Sequence, residues 1–389
     1  MPKMLSALCL LVSLLACSPE PPLEVVDPGA PTPATAPGDT ARTILVEEAP
    51  TTYAPMLGVN ITWANDQRIT DGGERLVDGA VRHVRYFQMM EKDYGAGQPA
   101  TTALAPCTDL DNPWSCPETS MRQHLVRVKA LREMFPEGVI WIAPEVLAGR
   151  SWPCKGWTAD ELGADPEAAG YAWGRAAFAT YGQVPGVIVA MTNEEWCPGA
   201  ERANAYNAWR RGVIRAHRAN PSCEIAIGAR HVRMKQWQGE RLTDHVGDVA
   251  SDVWTYVDEV GGWADYHAHG IEDGRFLPRT RAAEAADVQD FYAWSAWLDD
   301  NYPDIRKCVG EIAYTSSAPD VVATAVQKQA DFPTYAGLIR AVAVEADLVF
   351  LYQFEDHARP EGAFSGTGIY PALMQPVRRL GQESRVRAN

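Results

Sequence analysis

The chain has 389 residues, 46% of them hydrophobic and 22% charged, enough to build a sizeable core and too apolar for global disorder. Lys and Arg total 35 against 50 Asp and Glu, a formal net charge of −15, and no basic run interrupts that balance. Phosphate backbones and anionic glycans are therefore disfavoured on electrostatic grounds, and no nucleic-acid partner is expected.

Residues 1–17 read MPKMLSALCLLVSLLAC. Lys3 supplies a positive start, and the apolar run from Leu5 to Ala16 is too short to span a bilayer permanently. Its end, Leu14-Leu15-Ala16-Cys17, resembles the bacterial lipobox, which implies cleavage before Cys17 and acylation of that cysteine. The alternative is an ordinary secretory signal with an incidental cysteine. Ser18 at the following position suggests outer-membrane sorting in Gram-negative lipoproteins. Residues 18–40 hold seven prolines and no Lys or Arg, a composition that stays extended and cannot bury a core. The expected organisation is a signal peptide at 1–16, a tether at 17–50 and one folded domain at 51–389. That places the protein in the cell envelope, held to the membrane by a lipid anchor.

Export agrees with the cysteines. Beyond Cys9 and Cys17 lie Cys107, Cys116, Cys154, Cys197, Cys223 and Cys308, which in an oxidising compartment can make up to three disulfides. Cys107 and Cys116 flank a loop rich in Pro and Asp and form the first expected pair. Their spacings lack the tight C-x-x-C or Cys/His pattern of a zinc site.

From residue 55 onward, short apolar runs alternate with longer amphipathic ones. Strands are expected at 56–61, 81–88, 139–144, 187–192, 224–229, 264–267, 308–312 and 348–354. Helices are expected at 121–134, 160–181, 200–219, 287–301 and 321–346. Val187-Ile188-Val189-Ala190 is apolar on both faces, as a strand covered by helices should be. The pattern predicts a single (β/α)8 barrel with an inserted loop, 91–118, after the second strand. An open doubly wound sheet is the alternative, but no Gly-rich phosphate turn follows any strand.

A barrel's chemistry sits at the C-terminal ends of its strands. There the sequence places Arg85 on the second strand, Asn193-Glu194-Glu195-Trp196 after the fourth, His267 and His269 on the sixth and Glu311 on the seventh. Two carboxylates on separate strand ends meet the demand of glycoside hydrolysis for a proton donor and a nucleophile or base. The layout resembles the clan of retaining glycosidases with (β/α)8 barrels, which includes cellulases, mannanases and β-xylosidases. That resemblance implies Glu194 as acid/base, with Glu195 the fallback, and Glu311 as nucleophile. It also implies that Arg85 orients Glu311, that Asn193 meets the sugar 2-hydroxyl, and that His267 matches the histidine of a strand-six His-x-Tyr pattern. Two positions depart from the family: His269 stands where the tyrosine is usual, and residues 351–354 lack the strand-eight tryptophan, leaving Phe354 or Tyr352 to serve.

Aromatic residues add a general signal for sugars, whose C–H faces stack on rings. Of 13 tryptophans, Trp63, Trp152, Trp157 and Trp196 fall in loops expected at the strand ends, whereas Trp294 and Trp297 share a helix face and belong to the core. Two other classes compete. His267 and His269 make the H-x-H pattern of metal-dependent amidohydrolase-like barrels, although those carry it on the first strand. A non-catalytic glycan-binding lipoprotein would use the same cleft but would be expected to lack one carboxylate. The reading adopted is a lipid-anchored, monomeric glycosidase acting by double displacement on a neutral β-linked glycan without a cofactor.

Overall fold

The computed structural model describes residues 56–61, 81–90, 104–145, 157–193, 200–228, 249–268, 271–272, 275–276, 281–313, 325–352, 364–365 and 368–369. All lie in the compact unit Leu45–Asn389. The signal, Cys17 and the tether lie outside the described residues.

Eight parallel strands close a barrel: β1 (Met56–Ile61), β2 (His83–Met89), β3 (Ile140–Glu145), β4 (Val187–Ala190), β5 (Glu224–Ile227), β6 (Trp263–Ala268), β7 (Arg306–Ala313) and β8 (Leu348–Tyr352). Their order around the barrel is β1-β8-β7-β6-β5-β4-β3-β2. Among the described residues, the helices between them are α1 (Arg122–Met134), α2 (Ala159–Leu162), α3 (Pro166–Tyr181), α4 (Ala200–Ala219), α5 (Ser251–Glu259), α6 (Arg281–Asn301) and α7 (Ala325–Val342). The fold is a (β/α)8 barrel, as the alternation of apolar runs predicts.

Strand alternation sorts side chains into two layers. Val84, Ile140, Ile142, Val187, Val189, Ile225, Ala264 and Tyr266 join the helices in the outer core. Phe87, Trp141, Ile188, Ala226, Trp263, Cys308 and Phe350 fill the barrel interior. Within it, Trp141 meets Trp263 and Phe350 edge-on at 6.1 and 6.3 Å, giving the polar residues above an aromatic floor. Trp294 is buried in the outer layer and Trp297 packs partly buried against it, as their helical spacing implies.

Apart from shifted ends, such as α6 beginning at Arg281 rather than 287, two segments differ from the sequence reading. The helix expected over 160–181 is two helices, because Gly163 adopts φ 83° and Asp165 restarts the chain as an N-cap accepting from Ala168 N–H, with Pro166 in the first turn. Helix α5 was not anticipated; it is short, and only Val253, Trp254, Tyr256 and Val257 face the core. Helices α3 and α4 pack closely enough that a Cβ at Gly212 would lie 2.0 Å from Glu167 O.

The Cys107–Cys116 disulfide is present and closes a turn that Asp109 stabilises by accepting from Asn112 N–H and Ser115 Oγ. The expectation of up to three bridges is corrected: Cys223 and Cys308 are free and buried. They sit in different layers, Cys223 among the outer residues and Cys308 inside the barrel, so the sheet separates them. Cys154 and Cys197 lie outside the described residues.

At the N-terminal end of β2, His83 accepts a hydrogen bond from Val139 N–H at 2.8 Å. Burial, reinforced by Arg82 and Arg132, lowers its pKa from 6.5 to about 4. The unfolded chain therefore takes up a proton near pH 6.5 that the folded chain refuses until about pH 4. Stability from this group is complete above pH 6.5 and is lost as pH falls toward 4, by about 2–3 kcal/mol at pH 4.5. Burial shifts His217 in the same direction. Urea unfolding of wild type and His83→Asn at pH 7 and 4.5 checks this. The variant keeps an acceptor for Val139 and should lose less stability on acidification; equal losses would exclude His83 as the cause.

Candidate active site

Several inward positions toward the C-terminal half of the barrel are polar, next to apolar ones such as Phe87, Ala143 and Ala190. Asn60 on β1, Arg85 on β2, Asp265 and His267 on β6, Glu311 on β7 and Asn193 just after β4 are all buried. A cluster of this kind is costly unless every charge is matched. Arg85 does the matching by crossing the barrel. Its Nη1 donates to Glu311 Oε1 at 2.7 Å and Asn60 Oδ1 at 2.9 Å. Its Nη2 donates to Asn193 Oδ1 at 2.5 Å and Asp265 Oδ2 at 3.1 Å, and lies 3.1 Å from His267 Nε2. Only a planar fork with donors on two nitrogens can hold that many acceptors at once. Burial alone would lower the Arg85 pKa, but Asp265 and Glu311 together hold it above its ordinary value. The Phe87 ring lies 4.9 Å beneath the guanidinium.

Glu311 has a second neighbour. His267 Nδ1 lies 3.7 Å from Glu311 Oε2, and His267 Nε2 is 3.3 Å from Asp265 Oδ2, so the imidazole bridges the two carboxylates. Asn193 is held by its carbonyl oxygen, while its buried Nδ2 has no hydrogen-bond partner among the described residues. A donor left this way is one a ligand hydroxyl would satisfy.

Of the residues singled out from sequence, Arg85, Asn193, His267 and Glu311 converge in this cluster. Glu194, Glu195, His269, Trp63, Trp152, Trp196 and Phe354 lie outside the described residues. Trp157, expected in a strand-end loop, lies in one and is buried, packing edge-on against Trp209 at 5.5 Å. Asn60 and Asp265 were missed. Both carried a period-two signal, Asn60 in phase with inward Gly58, and Asp265 lying between inward Trp263 and His267.

The H-x-H alternative asks His267 for a free ring nitrogen. Its Nε2 faces a guanidinium nitrogen at 3.1 Å, where a cation would be repelled, while its Nδ1 lies 3.7 Å from Glu311 Oε2. Among the described residues no three His, Cys, Asp or Glu side chains are placed to hold a metal ion.

No protein-family model and no curated protein matches the chain. Solved structures do. A variant of the endo-β-1,4-glucanase of Xanthomonas axonopodis pv. citri superposes with TM-score 0.54 at 12% identity, over 85% of this chain and 99% of that one. The family 5 xyloglucanase of Paenibacillus pabuli gives 0.53 at 10%, over 85% and 99%. The endo-β-1,4-mannanase of Thermotoga petrophila gives 0.52 at 10%, over 85% and 77%. At such identities the likeness shows a shared barrel architecture.

Proposed function

We propose that this protein is a glycoside hydrolase that cleaves a neutral β-linked glycan with retention of configuration. The observation that carries the reading is Glu311, a buried carboxylate at the strand mouth held by Arg85 at 2.7 Å beside the carboxamide of Asn193. A nucleophile must be ionised and aimed, and Arg85 supplies both conditions. Asn193 offers its Nδ2 donor to the sugar 2-hydroxyl, an interaction that strengthens as the ring becomes oxocarbenium-like. Glu194 follows Asn193 directly and is the acid/base of this reading, and retention requires its carboxyl to come within about 5–5.5 Å of that of Glu311. In the first step Glu311 bonds the anomeric carbon while Glu194 gives its proton to the departing oxygen. In the second, Glu194 takes a proton from water, which displaces Glu311. The three solved barrels named above act on β-1,4-glucan, xyloglucan or mannan by their names, which sets the first substrates to try.

The test is sugar release by a fragment starting near residue 45 from β-glucans, mannans and xylans, with the product anomer followed by NMR. Release with β configuration at first appearance is expected. Initial α product would replace retention by inversion, and failure on every glycan with binding kept would make the protein a glycan-binding lipoprotein.

We further propose that Cys17 carries the lipid anchor. The full chain should partition with membranes, and Cys17→Ser should release it to the soluble fraction. An unchanged distribution would leave an ordinary signal or another anchor.

A further inference from the structure

Strand β7 should not present Glu311 to the barrel interior. Lys307 points outward, its Nζ bound to Ser295 and Asp299 of α6. Cys308 points inward and Val309 outward. Strict alternation would then turn residue 310 inward and Glu311 outward, into the helix layer. Glu311 nevertheless faces Arg85, and Ile312 packs in the outer core.

The reason is one extra residue in β7. On the β6 side, Tyr266 pairs with Val309 and His267 with Glu311, skipping Gly310. On the β8 side, Val349 pairs with Val309 but Leu351 with Ile312, so β7 bulges against both neighbours at the same point. A bulge leaves peptide groups that the ladder cannot satisfy and re-aims the next side chain. Here both groups of the bulged residue are taken by side chains. Gly310 N–H donates to Asp265 Oδ1 at 2.7 Å, and Gly310 O accepts from Asn60 Nδ2 at 2.8 Å. A Cβ at residue 310 would lie 2.1 Å from Asp265 Oδ1, so the approach requires glycine.

The same two side chains also grip the guanidinium that binds Glu311. Asn60 Oδ1 accepts from Arg85 Nη1, and Asp265 Oδ2 accepts from Arg85 Nη2. Backbone bulge, Arg85 and Glu311 are thus tied into two closed loops of hydrogen bonds, one through each residue.

We propose that Asp265 and Asn60 are positioning residues for the reaction: they clamp the Gly310 bulge and so set both the direction and the reach of Glu311. Asp265 has the larger part, because it joins the bulge to Arg85 with a charge. The inference rests on Glu311 being the nucleophile of the proposed hydrolysis, but the clamp itself is a structural claim that can be tested without activity.

Three variants separate the contributions. Asp265→Ala removes the acceptor for Gly310 N–H, and kcat should fall about 100-fold, as a displaced reacting group costs. KM should stay within about threefold, since the loss falls on the step that Glu311 performs. Asp265→Asn keeps an oxygen for Gly310 and loses the charged ties of Oδ2 to Arg85 and His267, so kcat should recover to within about tenfold of wild type. Asn60→Ala frees Gly310 O and should lower kcat by about tenfold without disturbing the ion pairs. A role confined to stability would leave kcat unchanged in the folded fraction of all three.

Crystal structures decide the clamp independently. In Asp265→Ala, or in Asn60→Ala where the first does not fold, the bulge should relax and Glu311 should leave Arg85. A bulge and a 2.7 Å contact that persist in both variants would overturn the proposal. Wild type inactive on every glycan would remove the hydrolase reading, while a relaxed bulge would still establish the clamp.

Discussion

Glu311→Ala should lower kcat for hydrolysis by a factor on the order of 10⁴ or more, the scale on which removing a covalent nucleophile acts. The fold should survive, because Arg85 keeps Asp265 at 3.1 Å together with Asn60 and Asn193. The truncation opens a space beside the anomeric carbon that a small anion can enter. With an aryl β-glycoside, azide should attack from that space, forming a C–N bond as the aryl oxide departs and giving the α-glycosyl azide. Recovery of rate with azide, and that product, would identify Glu311 as the nucleophile. A variant with more than about a tenth of wild-type activity would exclude it from that role.

Arg85→Met should have the largest effect on stability. The guanidinium is fully buried and donates to two carboxylates and two carboxamides, so its removal leaves Asp265 and Glu311 without a cation. Breaking a buried ion pair from one side costs about 3–5 kcal/mol, because the remaining charge stays desolvated. Urea unfolding should show a loss of that size, and kcat should fall about 10²–10³-fold with it. Arg85→Lys restores a charge but not the fork, since an ammonium cannot reach acceptors on opposite sides of the barrel. It should regain part of the stability and little of the activity. A methionine variant as stable as wild type would mean that the charges at the barrel mouth are relieved by other means, and Arg85 would lose its place as their centre.

Much of the fold was legible because its signals are local. The run Val187–Ala190 is apolar on both faces, and such a strand must be covered on both sides. Residues 200–219 carry a helical pattern that the structure follows to the residue. The break at Gly163-Ala164-Asp165-Pro166 was also written locally, as a positive-φ glycine, a cap and a helix-starting proline, and was passed over in favour of one long periodicity. Helix α5 was missed for a different reason: nine residues give too few turns for a periodic signal to stand out.

The site divides in the same way. Arg85, Asn193, His267 and Glu311 were found because a polar residue at the end of an apolar strand is conspicuous in any barrel. Asn60 and Asp265 obey the same rule and were overlooked, although the alternation from Trp263 through Asp265 to His267 places all three on one face. The sequence could place Trp157 in a loop but not say whether it turns to a cleft or, as here, onto Trp209, because a loop tryptophan carries no mark of its facing.

The sequence by itself determined the eight strands, most of the helices that cover them and the residue types gathered at their ends, because each follows from spacing along the chain. It could not determine that Glu311 faces the interior; read by alternation, β7 sends it outward. That orientation depends on the bulge at Gly310, held by Asp265 from β6 and Asn60 from β1, residues 45 and 250 positions away. Such contacts exist only once the barrel closes, so the tertiary structure decided which face of β7 carries the chemistry.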